Sequence, residues 1–373
     1  MCCALGRIAM NNVDTEHFSI PLLDWYDRNK REMVWRDRMN PYYTWISEIM
    51  LQQTRIEAAT GYFIRFTEEL PDIQSLAQVP EERLMKLWEG LGYYNRARNL
   101  KRTAQILVEQ YDGRLPADYE ALMTLPGIGP YTAGAIASIS YGIKAPAVDG
   151  NVLRVMMRYL QCGDDISKMS VRRRVEHMLL DVMPERPGDF NQAVMELGEV
   201  VCIPNGAPLC EKCPLMDSCQ ARAAGCQEEY PKKTEKKPRR MEHRTLLIYE
   251  LDGYIGIQRR PQSGLLAGLY EFPAVPEKLT LKGVRELLEK QGILNARVSS
   301  MGTAKHIFSH VEWHMKGFYV KLERAFERQK LPPSVIFVSK DELSQNYALP
   351  TAFRFYLKQI IEGKNEKIVS NGI

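Results

Sequence analysis

The sequence predicts an all-α domain followed by a smaller α/β domain, and three observations predict this. Apolar residues recur at helical spacing from His17 to about Gly225. A basic, proline-containing stretch follows, and beyond it the pattern changes to short alternating runs broken by turn signals. At 373 residues the chain is also too long for one typical core, which sets two domains as the expectation. The boundaries read as a tail over 1–16, a helical domain over 17–226, a basic linker over 227–243, an α/β domain over 244–363 and a tail over 364–373.

Helical periodicity covers 42–70, 81–91, 95–111, 119–124, 131–141, 151–160 and 170–183, with no convincing strand among them. After the linker, 244–250 and 254–258 flank Asp252-Gly253, a two-residue hairpin signal, and 311–322 and 334–338 read as further strands. Helices are expected over 281–292 and 352–362.

The eight cysteines are too sparse for a secreted disulfide scaffold, and the N-terminal residues lack an apolar core followed by a cleavage site. An intracellular, cytoplasmic protein is expected, with Cys2, Cys3, Cys162 and Cys226 as ordinary thiols. No run of eighteen apolar residues occurs, so no membrane helix is expected. A net charge of +4 identifies no partner, because its distribution matters more. Between Lys232 and Arg244 stand seven Lys or Arg against two Glu, a solvated tether that can also touch phosphate.

Cys202, Cys210, Cys213 and Cys219 lie within one short segment. Four thiolates so close can enclose a tetrahedral zinc or a [4Fe–4S] cluster. A single Cys-x-x-Cys pair, flanked by Pro204, Pro208 and Pro214, suits the larger cubane better.

Leu125 to Pro130 is a tight turn between two helices that asks for glycine's positive-φ freedom twice, at Gly127 and Gly129. It serves as a plain helix–helix turn or grips a phosphate with open backbone N–H groups. Asp149 stands where a helix N-cap is expected, and a capping carboxylate stays ionised and able to face a ligand. Glu48 lies in the apolar run Trp45 to Leu51; exposed there it would be solvated, but buried its pKa rises toward that of a general acid. A protonated and an ionised carboxyl together can cleave a glycosidic bond.

With the hairpin, the loop closed by Asp149 and the four-cysteine segment in place, the chain resembles the helix-hairpin-helix DNA glycosylases that carry an iron–sulfur cluster. Trp45–Thr54, Gly90–Tyr94 and Gly264–Pro273 are similar to the MutY-type adenine DNA glycosylases, across roughly residues 18–357. The resemblance implies that Glu48 protonates adenine, Asp149 stabilises the sugar cation, and Asn151 and Tyr131 orient the site. Related bifunctional enzymes carry a lysine after the hairpin for Schiff-base chemistry; Tyr131 stands there, which implies a monofunctional enzyme that leaves an abasic site. It further implies that Gln53 and Tyr93 wedge into the base stack while adenine is flipped out, and that Arg31 and Trp35 line the adenine pocket.

In the second domain, Glu277 to Ile293 looks like a Nudix box with substitutions. Lys290 replaces a metal-binding carboxylate and Glu271 the leading glycine, so the expectation is a Nudix-like fold kept for recognition without hydrolysis. Phe308-Ser309-His310 resembles the lesion-sensing loop, in which Ser309 accepts the N7–H of 8-oxoguanine. The partner implied is double-stranded DNA with A:8-oxoguanine or A:G mispairs, bound by a bacterial, nucleoid-associated monomer, with a sliding clamp as a further candidate.

Two departures stand out. Seven residues separate Cys202 from Cys210 where the family pattern has six, and Tyr270 replaces an expected Trp. The rival readings are a bifunctional endonuclease III-like lyase, a nucleotide-pool hydrolase and a non-catalytic lesion binder.

Overall fold

A computed structural model describes residues 13–36, 40–234, 238–323 and 326–363. Residues 1–12 and 364–373 of the expected tails, Cys2, Cys3 and linker residues 235–237 lie outside the described residues. Contacts divide the chain into two units. One runs to Gln78 and resumes from Asn99 to the linker. The other joins Val79–Arg98 to the chain after the linker.

The helices in order are α1 (Ile20–Asn29), α2 (Pro41–Leu51), α3 (Ile56–Glu69), α4 (Ile73–Gln78), α5 (Glu81–Leu87), α6 (Asn95–Gln110), α7 (Tyr119–Met123), α8 (Pro130–Ala135), α9 (Gly150–Tyr159), α10 (Met169–Asp181), α11 (Pro187–Val200) and α12 (Gln220–Ala223). The helix expected over 42–70 is two helices. They part where Gln53 takes φ 65°, a left-handed conformation uncommon for a residue with a side chain. Helix α11 starts with Pro187 at N1 and Asp189 in its first turn, both favourable at a helix N-terminus. Its buried Phe190, Val194 and Leu197 join Val152, Val155 and Met156 of α9 in the core of the first unit. Gly198 permits this approach, since a Cβ there would lie 2.7 Å from that of Asn151.

The second unit is built on a mixed sheet in the order β3-β2-β1-β6-β5, with β4 also paired to β1 and β7 to β2. Its strands are β1 (Arg240–Leu251), β2 (Tyr254–Arg259), β3 (Tyr270–Glu271), β4 (Ala274–Val275), β5 (Arg297–Ile307), β6 (Val311–Lys321) and β7 (Val335–Val338). Strand β1 starts four residues before the strand expected from Arg244, and β1 and β6 run parallel. Asp252 and Gly253, both at positive φ, turn β1 into β2 as the sequence predicts. Residues 245–250 are buried on both faces, as a central strand requires. Leu247 and Tyr249 meet Val284 and Leu288 of α13 (Leu281–Lys290). Leu246 and Ile248 belong with Leu343 of α14 (Lys340–Gln345) and Tyr356 and Ile360 of α15 (Arg354–Ile361). Among the described residues no helix is long and apolar enough to cross a membrane.

Candidate active site

In the first unit a cavity of about 780 Å³ is lined by Glu48, Tyr131, Asp149 and Asn151 together with Arg31 and Trp35, so one pocket gathers the four expected catalytic residues and both expected adenine-pocket residues. Glu48 reaches it from α2, whose other buried side chains include Trp45, Ile46, Ile49 and Met50. The Glu48 side chain receives the Tyr131 hydroxyl at 2.5 Å on Oε2. Burial is the main cause that pushes Glu48 up to about 7, against the Tyr131 hydrogen bond, which favours the ionised form. A carboxyl titrating there is protonated in a useful fraction at neutral pH and can donate.

Asp149 is the N-cap of α9. Its Oδ1 accepts the Val152 N–H and its Oδ2 the Asn151 side-chain amide, each at 2.8 Å. Burial raises Asp149 as well, opposed by those hydrogen bonds, which Glu48 lacks. Asn151 in turn accepts from Arg154, whose guanidinium also donates to the Cys202 and Gly198 carbonyls. The loop that delivers Asp149 is fastened by the buried Asn191 of α11. Its carbonyl oxygen takes the Ala147 N–H, and its amide donates to Ser138 Oγ and the Ala145 carbonyl.

The hairpin corrects one expectation. Gly127 has φ 78°, and a Cβ there would meet Asn99 of α6 at 2.7 Å, but Gly129 has φ −99° and open space beside it. Glycine's left-handed freedom is needed once. Gly129 instead caps α8 in extended backbone, leaving the helix start unobstructed. Thr103 of α6 donates to the Pro126 carbonyl at 2.7 Å and holds the turn.

Gln53 and Tyr93 lie outside the cavity lining; both are exposed at left-handed φ, 65° and 47°. Such strain in a side-chain-bearing residue often marks a functional position. In the second unit, residues 308–310 form the tip between β5 and β6. The Phe308 ring packs on Trp313 at 4.8 Å, while Ser309 and His310 are exposed and hydrogen-bonded to one another at 3.2 Å. On α13, Arg285, Glu286, Glu289 and Lys290 all face solvent.

Cys202, Cys210, Cys213 and Cys219 line a second cavity of about 30 Å³. Arg158 donates to Cys202 Sγ at 3.3 Å and Gln227 to Cys210 Sγ at 3.5 Å. Among the described residues no group of three or more His, Cys, Asp or Glu is placed to hold a single metal ion. Four thiols that line one small cavity form a donor set that both a tetrahedral zinc and an iron–sulfur core accept.

Sequence reasoning passed over Asn191, Arg36, Glu196 and Glu199. Asn191 and Glu196 are polar residues among the core positions of α11, and that interruption of an apolar stripe was their one signal.

Residues 46–179 match the family model of HhH-GPD superfamily base excision DNA repair proteins, and residues 244–359 that of the NUDIX domain. A solved thermostable thymine-DNA glycosylase is similar over 56% of this chain and 97% of its own, at 27% identity and a TM-score of 0.51. A helical hairpin beside a pocket that pairs a buried acid with a capping aspartate thus defines a base-excision DNA glycosylase. The adenine DNA glycosylase of Homo sapiens is 35% identical over 91% of this chain and 73% of its own length. That of Buchnera aphidicola subsp. Schizaphis graminum (strain Sg) is 32% identical over 82% and 88%. This chain belongs to the adenine DNA glycosylase family. It is a base excision repair enzyme, a hydrolase of the N-glycosyl bond of adenine, and its substrate is DNA.

Proposed function

We propose that the enzyme is monofunctional and acts on adenine opposite 8-oxoguanine or guanine. The observation that carries this reading is the Tyr131 hydroxyl bound to Glu48 in the main pocket. Glu48 donates a proton to the base, which makes adenine a competent leaving group. Asp149 faces the developing oxocarbenium ion. Tyr131 keeps Glu48 in one orientation and, having no amine, forms no Schiff base with the sugar. Asn151 fixes the carboxylate of Asp149. Arg31 and Trp35 wall the adenine pocket. Gln53 and Tyr93 take up the gap in the stack, while Gly127 and Gly129 leave backbone N–H groups open to a phosphate.

Opposite the flipped base, Ser309 at the exposed tip accepts the N7–H that 8-oxoguanine has and guanine lacks, with Phe308 as its anchor and His310 beside it. Cys202, Cys210, Cys213 and Cys219 hold a [4Fe–4S] cluster that shapes their loop; no step of the hydrolysis passes through it. The bacterial, nucleoid-associated cytoplasmic setting and the sliding-clamp partner rest on the family resemblance alone.

The purified enzyme, mixed with a duplex carrying adenine opposite 8-oxoguanine, should release free adenine and nick the strand only after alkali. Nicking without alkali, or a borohydride-trapped covalent adduct, would show a lyase and overturn the monofunctional reading.

A further inference from the structure

We propose that Glu196 is a positioning residue for the acid: it binds Arg36 and Arg31 on the wall of the main pocket and offsets part of the positive charge that Arg36 brings to the cavity Glu48 lines. This rests on the reading of Glu48 as the proton donor.

The geometry is a closed net. The Glu196 carboxylate is buried, with a side-chain exposure of 1%. Its Oε1 accepts both the backbone N–H of Arg31, at 2.8 Å, and Arg31 Nε, at 2.9 Å. Its Oε2 accepts Arg36 Nη2 at 2.9 Å. Arg36 returns to the loop through Nη1, which donates to the Arg31 carbonyl at 2.8 Å. Residues 31–36 have no regular structure beyond one turn closed by Arg36 N–H on the Met33 carbonyl, so this part of the wall is held by side chains. Arg31 has a second carboxylate in Glu199, whereas Arg36 has no ion pair but Glu196 among the described residues, and its Nε has no hydrogen-bond partner there.

Charge makes this arrangement matter to catalysis. The groups that act on Glu48 come from four elements: Tyr131 of α8, Asp149 capping α9, Glu199 of α11 and Arg36 of the loop. Asp149 and Glu199 favour the protonated acid; Tyr131 and Arg36 favour the ionised form. Arg36 stacks near the Tyr26 ring at 5.6 Å, and Tyr26 is itself a neutral phenol, its titration pushed up to about 12 by burial. Neutralising Glu196 would therefore leave a partly buried guanidinium without its counter-charge in the wall of the cavity that Glu48 also lines. At the effective dielectric of about 20 that suits such sites, that field is weakened but still acts on Glu48.

The test is the pH profile of single-turnover adenine release by the full chain on an A:8-oxoguanine duplex. Glu196→Gln keeps shape and acceptors but removes the charge, and its alkaline limb should move to lower pH. A shift of half a unit to one unit lowers the rate above the midpoint about three- to tenfold, with little change well below it. Glu196→Asp should restore the midpoint. Arg36→Met removes the cation and should move the limb upward, which keeps the idea testable even if Glu196→Gln misfolds. An unmoved limb in a folded Glu196→Gln, a loss by the same factor at every pH, or a downward shift in Arg36→Met would overturn the proposal. Turnover retained by Glu48→Gln would be a separate failure, removing the proton-donor reading and this proposal with it.

Discussion

Replacing Tyr131 with Phe removes one hydroxyl from the pocket and leaves the ring in place. In the native enzyme that hydroxyl donates to Glu48 Oε2 at 2.5 Å and so favours the ionised acid, while burial holds the group up at about 7. A hydrogen bond to a charged group contributes about 1.5–3 kcal/mol, equivalent to about one to two pH units. The midpoint of the alkaline limb should therefore rise in Tyr131→Phe from about 7 to roughly 8–9. The plateau at low pH should fall, because a Glu48 carboxyl free to rotate is less often aimed at the base. The two effects oppose each other, so the ratio of variant to native rate should climb tenfold or more, by order of magnitude, between about pH 6 and about pH 9. Single-turnover adenine release with enzyme in excess measures this directly, and titration of the duplex itself cancels in the ratio. A midpoint at or below the native one would refute the reasoning, for it would mean that Tyr131 does not stabilise the ionised form.

Glu48→Gln should abolish adenine release while duplex affinity stays near native. It should also change stability with pH. Glu48 is raised in the fold, so its contribution is fully present below about 4.5 and lost as pH rises through about 7. The variant should gain on the native protein across that window by up to roughly 3 kcal/mol in denaturant unfolding. Gly198→Ala should destabilise by about 1–3 kcal/mol and slow catalysis, as the new methyl meets Asn151. Native stability in that variant would mean the helices can separate freely. Ser309→Ala should lower the preference for 8-oxoguanine over guanine about two- to tenfold, the worth of one hydrogen bond, without changing the rate on A:G. Iron analysis and an absorption band near about 400 nm should accompany the purified protein, and a colourless zinc protein would overturn the cluster assignment.

Much of the site was legible because its signals are local. Glu48 stood out as a carboxylate among apolar residues, Asp149 as a cap, and Asp252-Gly253 as a two-residue turn. What escaped depends on distant partners. Strand β5 is an edge strand whose residues are mostly exposed, so it lacks the apolar alternation by which a strand is recognised. The break after α2 carries neither Gly nor Pro; Gln53 adopts its left-handed backbone without a local reason. Glu196 and Arg36 lie 160 residues apart, and no spacing rule links them.

The excursion of Val79–Arg98 into the second unit bears on how the enzyme can be dissected. There Lys86 donates to the Tyr347 carbonyl, Glu89 accepts the Leu349 N–H, and Arg98 donates to the Ala267 carbonyl. Cutting the gene at the linker would strand α5 and the Tyr93 turn without these anchors. Any loss of activity in a fragment cut there would then report the unanchored α5 segment as well as the missing second unit.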